Sequence, residues 1–315
     1  MAPVTKHDFV WSGREDTEEL GPSWRWHQRM TLLPSCDEAQ AGAVTLIGFA
    51  SDEGVRRNKG RPGAAAGPKA LRGALASLPV IGELPLFDAG DISCEDGQLE
   101  TAQAMLANAV GGCIRKGSLP LVLGGGHEVA WGTFQGIVEG GIDPARLLVI
   151  NFDAHFDLRF AAVANSGTPF RQMGEYCSEQ RLPFNYRVFG ISPFANTQAL
   201  FDRAAQVGAK YWLDESLQTP EGMAAACQAL AADLENCDAA YITICLDVLP
   251  ASSAPGVSAP AALGVPLANV ERLVSQVIDS GRLVAADVAE LNPELDRDNL
   301  TAKVAARLVA RMARR

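Results

Sequence analysis

From about residue 43 the chain alternates short aliphatic or β-branched runs with longer amphipathic stretches. The runs predict strands at Ala43–Ala50, Pro85–Ala89, Leu119–Leu123, Arg146–Phe152, Arg187–Gly190, Lys210–Leu213, Ala240–Asp247 and Arg282–Val288. Several, such as Leu147-Leu148-Val149-Ile150, are apolar at every position, the pattern of a strand covered on both faces. Between them, helical periodicity predicts helices over 98–116, 128–138, 196–207, 220–236, 266–280 and 298–313, while the Ala-rich 62–77 stretch reads as a loop and then a helix. Such alternation predicts an α/β fold with one parallel sheet and helices on both sides. No internal repeat or low-complexity linker interrupts it. Residues 1–42, polar and Trp-rich (Trp11, Trp24, Trp26), read as an N-terminal extension packed on a single domain of residues 43–315.

Composition narrows the function. An apolar fraction of 48% over 315 residues is ample for a buried core. Lys and Arg number 27 against 37 Asp and Glu, a net charge of −10, which opposes binding to nucleic acid. The longest apolar runs fall far short of the roughly 20 residues needed to span a bilayer, so no membrane partner is expected. The polar Met1–Asp8 start has no signal-peptide pattern, and a cytoplasmic location is expected. Seven cysteines without a CxxC pair argue against a zinc ribbon or a disulfide framework. Of four histidines, His7 and His27 fall in the leader, leaving only His127 and His155 in the body. A metal or acid–base site there must draw on carboxylates.

In parallel sheets ligands gather at the carboxyl ends of the strands. Gly124-Gly125-Gly126-His127-Glu128 follows one strand, and Asp153-Ala154-His155-Phe156-Asp157-Leu158-Arg159 follows another. A third ends in Ile244-Cys245-Leu246-Asp247, and a fourth runs into Ala289-Glu290. Asp153, His155 and Asp157 are spaced by two, which in an extended segment puts them on one face. Oxygen donors with one or two imidazoles suit Mn2+, or another octahedral divalent ion, better than structural zinc. The glycines let the backbone pass close to its neighbours and aim His127 at the same point. Taken singly, a loop histidine or a helix-capping aspartate is an ordinary feature. Four such strand ends together point to a metal site, and the number of donors favours two ions.

These segments, with Pro255-Gly256 after the third strand, resemble the ureohydrolase superfamily of arginases, agmatinases and formimidoylglutamases over about residues 43 to 310. The Ser51–Arg61 segment, Gly67-Pro68 and Asp157-Leu158-Arg159 are similar to the formimidoylglutamase branch. The resemblance implies a three-layer α/β/α arginase-like fold with a mainly parallel eight-stranded sheet and two Mn2+ ions. One ion would sit on His127, Asp153 and Asp157, the other on His155, Asp153 and Asp247, with Asp153 bridging. A second bridging position, aspartate in the superfamily, is Cys245 here. A thiol is a soft donor that matches Mn2+ poorly, so a labile, redox-sensitive second site is expected. An inert buried thiol, and a disulfide from Cys245 to Cys36, are the alternatives.

The activity implied is hydrolysis of N-formimidoyl-L-glutamate, a small amidine dicarboxylate of histidine degradation, to L-glutamate and formamide, by a hydroxide shared between the metals. Asp157 would be both ligand and proton carrier, and Glu290 would receive the amidinium. Arg159, whose planar fork suits a carboxylate, would bind the substrate together with Ser166 and Asn196, and Asn58 and Arg61 of the basic Arg56–Arg61 run would face the mouth. Phe170 falls where arginases carry an entrance histidine. Other readings are an agmatinase or guanidino-acid hydrolase, and a metal-deficient, redox-regulated or silent ureohydrolase-like protein. A zinc deacetylase on the related fold would need more histidines. Homo-oligomerisation is compatible with the sequence, which reveals no interface.

Overall fold

Nine strands form one sheet in the order β1-β3-β2-β4-β9-β8-β5-β6-β7, with every neighbouring pair parallel. They are β1 (Met30–Leu32), β2 (Val44–Ala50), β3 (Leu86–Ser93), β4 (Leu119–Leu123), β5 (Leu147–Phe152), β6 (Asn185–Ile191), β7 (Lys210–Leu213), β8 (Ala239–Cys245) and β9 (Leu283–Ala289). The helices are α1 (Trp26–Arg29), α2 (Glu53–Arg57), α3 (Gly67–Ala76), α4 (Leu99–Arg115), α5 (Val129–Glu139), α6 (Pro169–Glu179), α7 (Gln198–Gln206), α8 (Pro220–Glu235), α9 (Leu267–Asp279) and α10 (Leu300–Ala313). The computed structural model describes residues 6–314, so the first five residues of the polar start lie outside the described residues.

The strand count corrects the expected eight. The extra strand, β1, comes from the leader and pairs with β3 at one edge of the sheet. It is three residues long and mostly exposed, too short and too polar to show as an apolar run. Helix α6 is the other element of length that hydrophobic pattern alone passes over. Its sequence is polar on balance, and Pro169 in its first turn, a helix-start signal, follows a turn-like Ser166-Gly167-Thr168.

Strands β4, β5 and β8 are buried at every position because helices cover both faces. Alternation along the strand sorts the side chains into two cores. Leu148, Ile150 and Phe152 join helices α3, α8, α9 and α10 on one side, whereas Leu147 and Val149 join α4, α5 and α6 on the other. The chain leaves β4 for β5 on the far side of β8 and β9, then returns to fill the gap. This switch brings the carboxyl ends of β4, β9, β8 and β5 side by side at the centre of the sheet. Among the described residues no helix is long and apolar enough to cross a membrane.

The leader is anchored by polar contacts as well as by buried Trp26. The Trp11 indole donates to Asp88 Oδ2 at 2.8 Å, and the leader histidines pair with carbonyls, His7 with Leu33 and His27 with Ala76. Asp88 also accepts from buried Arg72 at both oxygens, 2.8 and 2.9 Å, and Arg72 reaches Asp91 besides. Burial alone would raise the Asp88 carboxyl, but the Arg72 guanidinium outweighs it and holds the group below its usual range. Asp88→Ala should therefore cost about 3–5 kcal/mol in denaturant unfolding, the range for a buried pair stripped of one partner. The depressed pKa stabilises the fold above the unfolded value of about 4 and is lost as pH falls below it. The variant should accordingly show a shallower acid decline than the parent below about pH 4.

Candidate metal centre

His127 stands at the end of β4, carried by Gly124–Gly126 into α5. A side chain at Gly125 would bring its Cβ within 1.7 Å of the Ser51 carbonyl oxygen, so the close passage admits only glycine. The His127 backbone N–H donates to Glu290 Oε1 at 2.9 Å, tying the β4 and β9 ends together. On its far edge the ring pairs Nε2 with Thr243 Oγ1 at 2.9 Å. Thr243 lies in register with Asp287 of β9, which in turn accepts from the Tyr241 hydroxyl. When Nε2–H donates to Thr243, the Nδ1 lone pair faces the cavity. Nδ1 is buried without a hydrogen-bond partner, 3.0 Å from Asp153 Oδ2 and 3.0 Å from Asp157 Oδ2.

Asp153 faces both ways. Its Oδ2 lies toward His127, while Oδ1 is 3.4 Å from His155 Nδ1 and accepts the His155 backbone N–H at 2.7 Å. His155 Nδ1 is also 3.2 Å from Asp247 Oδ2. The donor atoms fall into two groups, His127/Asp153/Cys245 and Asp153/His155/Asp247, each within a 4.8 Å span and both including Asp153. The route to this convergence differs from the one the two-residue spacing implies. Strand β5 stops at Phe152, and Asp153–Asp157 is a loop that ends with Asp157 at φ 46°. Glu290 sits at φ 70°. Two bulky acids in the left-handed region are costly, and such strain persists only where the surroundings impose it.

The electrostatics are those of crowded, buried acids. Burial opposes charge on His127, yet Asp153 and Asp157 outweigh it and lift the imidazole well above its ordinary pKa. Asp247 and Asp153 do the same for His155. Burial and then the Asp153 charge push Asp157 up to about 6, while burial and the nearby Glu128 push Glu290 up to about 8. The Cys245 thiol is raised by burial and by the Asp247, Asp153 and Glu290 charges. The unpartnered His127 Nδ1 and the surrounding oxygens fit a divalent metal ion.

Above these donors lies a cavity of about 150 Å3. Of the residues expected from sequence, its wall holds His127, His155, Asp157, Cys245, Asp247 and Glu290 at the floor, and Asn58, Arg159 and Ser166 toward the mouth. Asn58 donates to Ser166 Oγ at 3.1 Å. Arg159 is exposed, and among the described residues no acceptor pairs with its guanidinium. A Cβ at Gly167 would come within 2.8 Å of the Arg159 Cδ, so that glycine makes room for the arm.

Four expectations are corrected. Asn196 is not on the wall; its amide clamps the loop, accepting from Phe156 N–H and donating to the Ala154 and Ser192 carbonyls. Arg61 is spent on the Ser258 and Val257 carbonyls, at 2.8 Å each. Its neighbours Arg56 and Arg57 pair with Glu53, and Arg57 also with Glu100. Phe170 is not at the entrance but buried behind the site, edge-on to His127 at 5.3 Å and stacked on Tyr186. Cys36 packs against Cys113 of α4 rather than Cys245, and all seven cysteines are free thiols. Conversely, Thr243 and Asp287 support the centre without having been singled out. The spacing of Thr243 and Cys245 by two at the end of β8 was the available signal.

This floor of acids and two imidazoles at four parallel strand ends defines a metallohydrolase site, and the chain belongs to the Arginase family, whose model matches residues 42–314. It is 49% identical over 320 residues to the formimidoylglutamase of Paraburkholderia xenovorans, covering 98% of this chain and 99% of the relative. It is 50% identical over 301 residues to that of Aeromonas hydrophila, with 95% of each chain covered. Among solved structures, Trypanosoma cruzi formiminoglutamase with Mn2+ matches with a TM-score of 0.77 and 27% identity over 88% of this chain and 95% of the other. Formimidoylglutamase from Bacillus subtilis shares the fold, with a TM-score of 0.83 at 20% identity over 96% of this chain and 93% of the other.

Removing the Thr243 hydroxyl should loosen the His127 ring without touching a donor. Partners of this kind are worth about 10–100-fold in metal affinity. Thr243→Val should weaken Mn2+ binding within that range in a chelator competition, and unchanged affinity would mean that packing alone, such as that of Phe170, holds the ring.

Proposed function

We propose that the chain hydrolyses N-formimidoyl-L-glutamate to L-glutamate and formamide in the cytoplasm, using two divalent metal ions, Mn2+ in at least one position. The observation that carries this reading is an unpaired guanidinium, Arg159, at the rim above a floor of acids. A substrate with a cationic amidine at one end and carboxylates at the other matches that polarity end for end. Near-full-length similarity to formimidoylglutamases supports it.

His127, Asp153 and Asp157 would hold one ion and His155, Asp153 and Asp247 the other, with Cys245 in the remaining shared position. Such a pair, when bound, supplies Lewis-acid activation of water near neutral pH. Glu290, already anchored to the His127 N–H, receives the amidinium, whose positive charge offsets the burial that otherwise favours its neutral form. Asp157 takes a proton from the attacking water and delivers it to the departing α-amino nitrogen as the C–N bond breaks. The oxygen of water ends in formamide. Arg159 grips a carboxylate with two parallel hydrogen bonds, and the Asn58–Ser166 pair offers further polar groups at the mouth. Cys245 makes one ion the more labile, since sulfur holds Mn2+ poorly.

Reduced, Mn2+-loaded protein should release formamide and glutamate from N-formimidoyl-L-glutamate. Turnover of agmatine or arginine without formamide release from that substrate would contradict the reading. A charge-assisted hydrogen bond is worth about 1.5–3 kcal/mol. Arg159→Ala should therefore raise KM for the dicarboxylate by about tenfold or more, with kcat changed far less. A fall in kcat at constant KM would assign Arg159 to the chemistry instead.

A further inference from the structure

The two donor groups differ in kind. Asp153, His155 and Asp247 offer only oxygen and nitrogen, whereas His127, Asp153 and Cys245 add a sulfur within the same 4.8 Å span. Cys245 is the last residue of β8, buried, and its side chain faces Asp247, Asp153 and Glu290. All three are acids. The unpartnered Nδ1 of His127 is aimed into the same group, so the sulfur is not an isolated thiol but one corner of a convergent donor set.

Donor softness sorts divalent ions: carboxylates suit Mn2+, imidazole is permissive, and thiolate favours zinc and its neighbours. Co2+ and Zn2+ also exceed Mn2+ in intrinsic affinity for mixed donor sets. Building on the two-ion reading above, we propose that the two positions are chemically unequal. The position framed by His127, Asp153 and Cys245 binds Zn2+ or Co2+ through the Cys245 sulfur in preference to Mn2+, and the position framed by Asp153, His155 and Asp247 takes Mn2+. On binding, the sulfur–hydrogen bond is exchanged for a sulfur–metal bond and the proton is released to solvent. No electron is transferred. Asp153, common to both groups, joins the two ions into a mixed-metal pair.

Co2+ is the direct probe, because a thiolate bound to it gives an intense near-ultraviolet charge-transfer band that oxygen and nitrogen donors do not. Chelator-stripped, reduced, full-length protein titrated with Co2+ without oxygen should bind two ions and develop this band with the first. C245D and C245S should lack the band, while the other cysteines remain in both as an internal control. Far-ultraviolet circular dichroism checks folding, and the serine variant stands in should the aspartate one fail to fold. In a mixture of equal Mn2+ and Zn2+, the parent should retain one of each, and C245D should shift tenfold or more toward Mn2+.

Two bound Co2+ ions without the band, or a band that survives in C245D, would overturn the sulfur ligand and leave the two-ion reading intact. Binding of only one ion would instead overturn the two-ion reading, and the band, or its absence, would still decide the role of Cys245.

Discussion

Asp157, Asp247 and Glu290 line one small cavity with Asp153 buried beside them, and four acids so close together, three of them buried, repel one another unless positive charge lies among them. Much of the surrounding structure follows from accommodating that crowd. Asp153 turns one oxygen to each histidine, so a single carboxylate links two donor groups. The neighbouring carboxylates raise the pKa of both imidazoles, and burial raises those of Glu290 and Asp157. The imidazole shifts answer the excess of negative charge, and those of the two acids answer burial first and that charge second.

Holding the acids in place is a task for the sheet. Strands β4, β9, β8 and β5 end together because the chain skips two positions after β4 and fills them last. Covered on both faces, these strands have little freedom to relax, so strain can be kept at their ends. The left-handed Asp157 and Glu290, the glycine-only passage at Gly125 and the Asn196 clamp on the 154–156 backbone are the local forms it takes. Behind His127, a chain of Thr243, Asp287 and Tyr241 fixes the ring from one side while Phe170 packs against another.

The fold was legible in the sequence wherever burial on two faces produced an unbroken apolar run. Leu119–Leu123, buried throughout, matches its strand at both ends; edge strand Lys210–Leu213 does so too without such burial, on its Tyr211-Trp212-Leu213 run, and the other expected strands shift at most a few residues. Edge strand β1 was hidden because an exposed three-residue strand carries no such run. At the site, residue type and order were enough to name the side chains that converge, although the expected extended face of Asp153–Asp157 is in fact a loop. Roles that depend on side-chain direction were not legible. Asn196 and Arg61 look like substrate ligands in sequence and turn out to serve backbone, whereas Thr243 looks like an ordinary strand residue and orients a histidine.

Sharing of Asp153 by two ions is the central claim, and magnetic coupling tests it most directly. Protein saturated with Mn2+ and examined by electron paramagnetic resonance at low temperature should show a spin-coupled pair, with hyperfine spacing about half that of an isolated ion. A signal of isolated Mn2+ alone, at full occupancy, would contradict the account.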